Sequence, residues 1–245
     1  MNPAITSSRL FLIAGAVVFA LLGAVGGWAW EKRQSGDADK ARVEEIVHAY
    51  LLEHPEVLPE AMAALQTKEQ RRQLAGAGEA VERPFPGAVL GNPQGKITLV
   101  EFTDYACTFC RRSVADVAAL VAANPDLRVV IRELPILSPA SAEAARWALA
   151  AAEQGRYAVF HDAMFRTGRP DTATIAAAAA EAGLDLARAR RVIADPRIAA
   201  EIERNQQLAR QLGFDGTPSW VVGDQLLTGA VGQTELAKAI AAARG

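Results

Sequence analysis

Cys107-Thr108-Phe109-Cys110 is the stretch on which the reading of this chain turns. These are the only two cysteines in 245 residues, with two residues between them. Just before them, Ile97-Thr98-Leu99-Val100-Glu101-Phe102 is a short apolar, β-branched run that reads as a buried strand. Just after them, Arg111 to Ala123 carries Val114, Val117, Leu120 and Val121 at helical spacing. The pair therefore falls at a strand-to-helix junction, with the first cysteine at the helix start. Orphan N–H groups and the helix dipole stabilise an anion there. A thiolate is the nucleophile of disulfide chemistry, and a helix N-terminus lowers a cysteine pKa. Cys107 is thus expected to be the exposed, low-pKa thiol. Cys110, one turn on, is placed to close a disulfide or to resolve a mixed one.

The same spacing also suits half of a zinc site, but tetrahedral closure takes four ligands. No other cysteine exists, and His48, His54 and His161 stand at no recognised ligand spacing. An inert structural disulfide would not need a strand before it and a helix after it. The setting favours a redox pair. Hydrophobic residues make up 51% of the chain, enough for a sizeable core. A formal net charge of −2, with no basic stripe among aromatics, gives no electrostatic case for nucleic acid. No Gly-rich nucleotide loop appears, and no bound cofactor is expected.

Leu10 to Trp30 is a run of 21 residues without a charge, long enough to span a bilayer. Arg9 precedes it, Glu31-Lys32-Arg33 follows it, and Trp28 and Trp30 stand where an interfacial aromatic belt would sit. Residues 1–33 are therefore expected to be a membrane anchor through residues 10–30. The alternative is a cleaved signal peptide, with Leu10 to Leu22 as its apolar region and Ala24 and Gly26 near the cleavage point. Either version exports the rest of the chain to a compartment where dithiol–disulfide chemistry belongs.

After a polar linker at Gln34-Ser35-Gly36-Asp37, Val43, Ile46, Val47, Tyr50 and Leu51 share one helical face. Val57, Leu58, Met62 and Leu65 continue the pattern after Pro55 and Pro59 interrupt it. Two short amphipathic helices are expected in a small region, 40–78, that turns polar from Lys68 to Gly78. This piece is too small to bury a core alone. Residues 40–75 are therefore expected either to meet another copy or the main domain through that face, or to form a solvated stalk. Arg83-Pro84-Phe85-Pro86-Gly87 marks a boundary, and 84–245 reads as the main domain. There Ala88-Val89-Leu90 is a candidate edge strand, Gly91 to Gly95 a turn, and Leu127-Arg128-Val129-Val130-Ile131 a second core strand. Residues from about 137 to 213 are Ala-rich and helical, with loops at Gly155, Gly168-Arg169-Pro170 and Gly183, and with Asp171 as a candidate N-cap. Ser219 to Val222 and Gln225 to Leu227, separated by Gly223-Asp224, read as a hairpin. A last helix covers about Thr234 to Ala243. The order is βαβ, a helical insertion, then ββα: an α/β fold.

Three separated elements now agree in type and order: Gly91-Asn92-Pro93, Val100-Glu101-Phe102-Thr103-Asp104-Tyr105 leading into Cys107-Thr108-Phe109-Cys110, and Gly216-Thr217-Pro218-Ser219. With them the chain from about Pro84 onward resembles the DsbA-like thiol–disulfide oxidoreductases of the thioredoxin superfamily. The resemblance implies a thioredoxin-like fold carrying an all-helical insertion. Tyr50-Leu51-Leu52-Glu53-His54-Pro55-Glu56-Val57 is also similar to the N-terminal domain of the suppressor-of-copper-sensitivity C proteins, which supports oligomerisation in some members.

On this resemblance Cys107 is the attacking cysteine and Cys110 its resolving partner. Thr217-Pro218 matches the family's cis-proline loop, which packs beside the disulfide and offers backbone to an extended client. Glu101, odd in an apolar strand, stands where the family keeps a buried acid. Burial would raise its pKa and let it exchange the proton of the resolving thiol. Asp104 is a weaker second acid, Trp220 reads as core, and His161 as a satisfied core histidine. One departure is that Thr108-Phe109 replaces the proline–histidine pair of the strongly oxidising members, so a histidine's help to the thiolate is missing. The implied activity is disulfide exchange on exported cysteine-containing proteins, as oxidase or isomerase, with a membrane redox partner. The implied place is the periplasmic side of a bacterial inner membrane, or the free periplasm if the N-terminus is cleaved. An alternative of another class is a copper-tolerance protein that holds Cu(I) between the same two thiolates.

Overall fold

The computed structural model describes residues 19–26 and 39–244. Most of the expected anchor at residues 10–30 lies outside the described residues; 19–26 are helical. Among the described residues no helix is long and apolar enough to cross a membrane. The chain divides into two compact units between Ala64 and Leu65.

In the first unit, α1 covers 39–53. Its end is closed by the His54 N–H donating to the Tyr50 carbonyl at 2.8 Å, and the two rings lie 4.6 Å apart. Val43, Ile46, Val47 and Tyr50 are all exposed along it. After Pro55, α2 (Val57–Ala77) starts and runs on into the second unit. The stretch that turns polar from Lys68 stays helical to Ala77. Pro59 falls in the first turn, where its missing N–H is not needed. Lys68, Glu69, Arg71 and Arg72 are good helix formers that stay in solvent. Glu69 pairs with Arg72 at 3.7 Å, and Arg71 reaches Asp224 at 3.0 Å. The helix stops where Gly78 takes φ +57°, the left-handed conformation that suits glycine.

The second unit is built on a five-stranded sheet in the order β1-β3-β2-β4-β5. The strands are β1 (Val89–Gly91), β2 (Ile97–Thr103), β3 (Leu127–Glu133), β4 (Ser219–Val222) and β5 (Gln225–Thr228). Only β2 and β3 run parallel, joined across by α3 (Thr108–Ala123). The apolar runs of β2 and β3 lack strict alternation because both faces of these central strands are covered. On one face Leu99, Val129, Ile131 and Trp220 pack with Val117 and Leu120 of α3. On the other, Val100, Phe102, Val130 and Val221 meet Ala209, Leu212 and Phe214. Gly91 shows why its turn needs glycine: at φ +72°, a Cβ would stand 2.6 Å from the Leu127 carbonyl oxygen. Asn92 next to it locks the turn, donating to the Pro125 carbonyl and accepting from Gln94 N–H, both at 2.9 Å.

Five helices stand between β3 and β4: α4 (Pro139–Ala152), α5 (Tyr157–Thr167), α6 (Thr172–Glu181), α7 (Leu186–Ile193) and α8 (Pro196–Gln211). Short polar side chains start four of them. Ser138, Asp171, Asp185 and Asp195 each accept a backbone N–H of the first turn, and Asp171 forms a reciprocal box with Thr174. α9 (Gln233–Ala242) closes the chain against the α3 face through Leu236 and Ile240.

Candidate active site

β2 enters the core, turns at Asp104 to Ala106, and releases the chain into α3 with Cys107 as its N-cap. Cys107 has extended backbone, φ −78° and ψ 119°, and its Sγ accepts the Cys110 N–H at 3.3 Å. The thiols are unlinked in this structure. On its other side, the Cys107 thiol donates to the Thr217 carbonyl at 3.1 Å. The Thr217–Pro218 peptide bond is cis, and the Thr217 side chain stands by the Cys107 sulfur. Cys107 is less open than its position suggested: 5% of its surface is exposed, against 0% for Cys110. The helix start gives Cys107 the accessible edge, but the Thr217 loop covers most of it.

The two thiols are pushed apart in acidity. A hydrogen bond from the Cys110 thiol, helped by Thr217 and first-turn N–H groups, pulls Cys107 well below the usual thiol range. Burial, reinforced by the Cys107 bond and by the Glu101 charge, pushes Cys110 far up. Glu101 itself is only 3% exposed, and burial raises it to about 8, with the charge of Glu133 adding to the effect. A cavity of about 360 Å³ between α3, α5 and β1 is lined by Val114, Val117, Val159, Glu101 and His161.

Asp104 differs from the expectation of a second acid. One carboxylate oxygen accepts Ala106 N–H at 2.7 Å, and the other accepts Ile136 and Leu137 N–H at 2.8 and 2.9 Å. Its backbone carbonyl accepts Cys107 N–H at 3.0 Å. Asp104 is a staple that joins the turn before Cys107 to the loop after β3. Trp220 is core, with Nε1 donating to the Gly229 carbonyl at 2.9 Å. Around the cysteines the apolar surface is open: Phe109 is 51% exposed, with the Arg112 guanidinium 5.2 Å from its ring centre, and Ile136 and Leu137 are exposed too.

The sequence reading missed a second buried carboxyl, Glu133 at the end of β3, 1% exposed. Its Oε1 accepts from the Tyr105 hydroxyl at 3.1 Å and from the Tyr157 hydroxyl at 2.6 Å. Both phenol protons are thereby used, so His161 Nδ1–H donates to the phenol oxygens, at 3.2 Å from Tyr105 and 3.5 Å from Tyr157. Burial holds the imidazole neutral by lowering its pKa to about 4. Glu133 gave a weaker signal than Glu101, because it ends its strand after Arg132 and does not interrupt an apolar run. Its importance shows only in the register, which pairs it with Thr103 on the face that holds Glu101.

Residues 98–241 match the profile of the DSBA-like thioredoxin domain. The chain belongs to that family. Residues 39–72 also match the N-terminal domain of the copper resistance protein ScsC. Among solved structures, a thioredoxin-like oxidoreductase from Silicibacter pomeroyi DSS-3 is 44% identical, with TM-score 0.65, covering 68% of this chain and 96% of that one. A linker-deletion mutant of Proteus mirabilis ScsC is 27% identical, with TM-score 0.66, over 84% of this chain and 95% of that one. A curated relative, the Na(+)/H(+) antiporter NhaA 3 of Salinispora tropica, is 32% identical over 171 residues, 65% of this chain and 26% of its own length. The chain spans about a quarter of the length of the curated relatives it matches.

Proposed function

We propose that this chain is a thiol–disulfide oxidoreductase of the DsbA and ScsC type, acting on disulfides of exported proteins through Cys107 and Cys110. The observation that carries the reading is the split between the two sulfurs. Cys107 caps α3 with its Sγ accepting the Cys110 N–H and standing by the Cys110 thiol, while Cys110 is buried one turn on. A sulfur so held is a thiolate near neutral pH and attacks a client disulfide, breaking it and forming a mixed disulfide. Cys110 then attacks Cys107 Sγ, the mixed bond breaks, and the client leaves reduced. Before it attacks, Cys110 gives its proton to Glu101, and in the oxidising direction takes it back as it leaves. The client strand lies along Thr217–Pro218, with Phe109, Ile136 and Leu137 offering apolar contact to an unfolded chain.

The chain works on the periplasmic side of a bacterial inner membrane, in line with the ScsC and DsbA-like neighbours. The 39–72 match to an ScsC N-terminal domain and the exposed face of Val43, Ile46, Val47 and Tyr50 support self-association through this region. Several active sites then face one misfolded client at high local concentration, which favours isomerisation. Trapping tests the reading. Cys110→Ala should accumulate a mixed disulfide with a scrambled client, and Cys107→Ala should not. Wild-type protein that neither reduces insulin nor rescues a scrambled client would overturn it. The copper-resistance match keeps one rival, Cu(I) held by the reduced pair. Stoichiometric Cu(I) binding without exchange activity would put it first.

A further inference from the structure

Glu101 and Glu133 put two carboxyl groups in one dry layer. Glu101 pairs with Ile131 and Thr103 with Glu133 across parallel strands, so the two acids are diagonal neighbours on the face covered by α3 and α5. Their settings differ. Glu133 has two phenol hydroxyls donating to one oxygen, and these bonds favour its charged form. For Glu101 only the Thr103 side chain acts in that sense. Two buried carboxylates this close do not ionise together readily.

We propose that Glu133 is a positioning residue for the exchange: it takes the first negative charge of the buried pair, and that charge keeps the transferable proton on Glu101, beside Cys110. The inference rests on the proton-carrier role proposed for Glu101. In the oxidising direction a client thiolate attacks Cys107 Sγ and forms a new S–S bond. The Cys107–Cys110 bond breaks, its electron pair goes to Cys110 Sγ, and that sulfur takes the Glu101 proton. Glu101 becomes a carboxylate, and the reverse direction returns the proton. A carrier pushed up by Glu133 is a stronger base for a thiol and still holds its proton near neutral pH. Burial raises both acids; the two phenol donors let Glu133 ionise first, and once it does Glu101 feels its charge.

The groups facing this pair come from every element packed on it. Asp104 and Tyr105 stand in the turn before α3, Cys107 and Cys110 on α3, and Tyr157 and His161 on α5. None of these is a cation at neutral pH, because His161 is held neutral; the cation that lines the Glu101 cavity, Arg166 of α5, is exposed and paired with Asp162 and Glu181. Arg132, the nearest arginine in sequence, points to the opposite face, where it binds Glu201. Arg166 is thus matched by its own two carboxylates, and among the described residues no buried cation meets the Glu133 charge on the Glu101 side.

The test is the pH dependence of the rate at which oxidised protein is reduced by a small dithiol, in wild type, Glu133→Gln, Glu101→Gln and the double variant. Glu133→Gln should move the midpoint of the profile toward acid by about one pH unit. It should cause no further shift when Glu101 is already glutamine. Tyr157→Phe, which removes one hydroxyl and leaves the fold's charge count alone, should give a smaller shift in the same direction and serves if Glu133→Gln does not fold. The infrared C=O band of protonated carboxyls reads the same order directly: its midpoint is lowered in Glu133→Gln, where Glu101 is the remaining acid of the pair, and the Glu133 component is raised in Tyr157→Phe. An unmoved profile in the folded variants, or a shift that persists in the Glu101→Gln background, overturns the inference. If Glu101→Gln flattens the profile while Glu133→Gln leaves it alone, only this inference falls. If Glu101→Gln leaves the wild-type profile intact, the carrier reading of Glu101 fails first and takes this one with it.

Discussion

Glu101 shows what one buried carboxyl costs in stability. Its carboxyl is raised from 4.5 to about 8, chiefly by burial. Below about pH 4.5 it is protonated in folded and unfolded chains alike and costs nothing. Between 4.5 and 8 the unfolded chain has released the proton and the folded one still holds it, so stability falls as pH rises. Above 8 the full penalty is present, on the order of 5 kcal/mol. Urea unfolding should therefore show wild type weakening from about pH 5 to about pH 9, with Glu101→Gln weakening less. A difference between the two that stays constant with pH would contradict the burial of this charge. Asp104 makes the opposite case, a carboxylate with its oxygens fully used. Asp104→Ala strands three backbone N–H groups and should cost roughly 3 kcal/mol in urea unfolding. It should also lower activity on protein clients more than on small disulfides, since Ile136 and Leu137 lose their anchor. Equal losses on both substrates would leave that loop no part in client contact.

Elements are joined here by one buried arginine more than by any surface pair. Arg132 of β3 donates to Glu201 Oε1 and Asn205 Oδ1 of α8, each at 3.1 Å, and to the backbone carbonyls of Ala80, Val81 and Arg83. Asn205 also donates to the Glu133 carbonyl at 3.1 Å, which steadies the strand end that carries the second acid. Charges buried like this stabilise little over a hydrophobic replacement, but removing one partner leaves the other unpaired. Arg132→Ala should cost on the order of 3–5 kcal/mol. Arg132→Met with Glu201→Leu should recover much of it. A double variant no better than Arg132→Ala in thermal or urea unfolding would show that the backbone carbonyls, and not Glu201, carry the cost. α2 belongs to the same scale. Its second half turns polar and stays helical, because charged residues are compatible with a helix whose sides face water.

For the whole molecule, the exposed face of α1 sets the question of assembly. Val43, Ile46, Val47 and Tyr50 stand exposed, Tyr50 by 52%, on a stretch too short to own a core. Val47→Glu with Tyr50→Glu should convert the proposed oligomer to a monomer by light scattering at tens of micromolar. That monomer should keep insulin reduction and lose activity on a scrambled client. A wild-type chain from Asp37 onward that is already monomeric would sink the assembly and leave α1 a stalk.

The Thr217–Pro218 loop stood out through the family resemblance, whereas the element order, the cysteine pair at a helix start and the odd acid Glu101 were legible in the residues themselves. Each depends on local periodicity, on a breaker, or on one residue out of character with its run. Partnerships across the chain were not legible. Asp104 looked like an acid and is a staple, because its three donors come from two loops that meet only when β2 and β3 pair. Cys107 looked open and is nearly covered, because the Thr217 loop returns to it from 110 residues away in sequence. Glu133 gained its place beside Glu101 through strand register, and its two tyrosine hydroxyls come from a turn and from a helix of the insertion. Burial and hydrogen-bond supply belong to the packed chain, so tertiary structure alone decided what each acid could do.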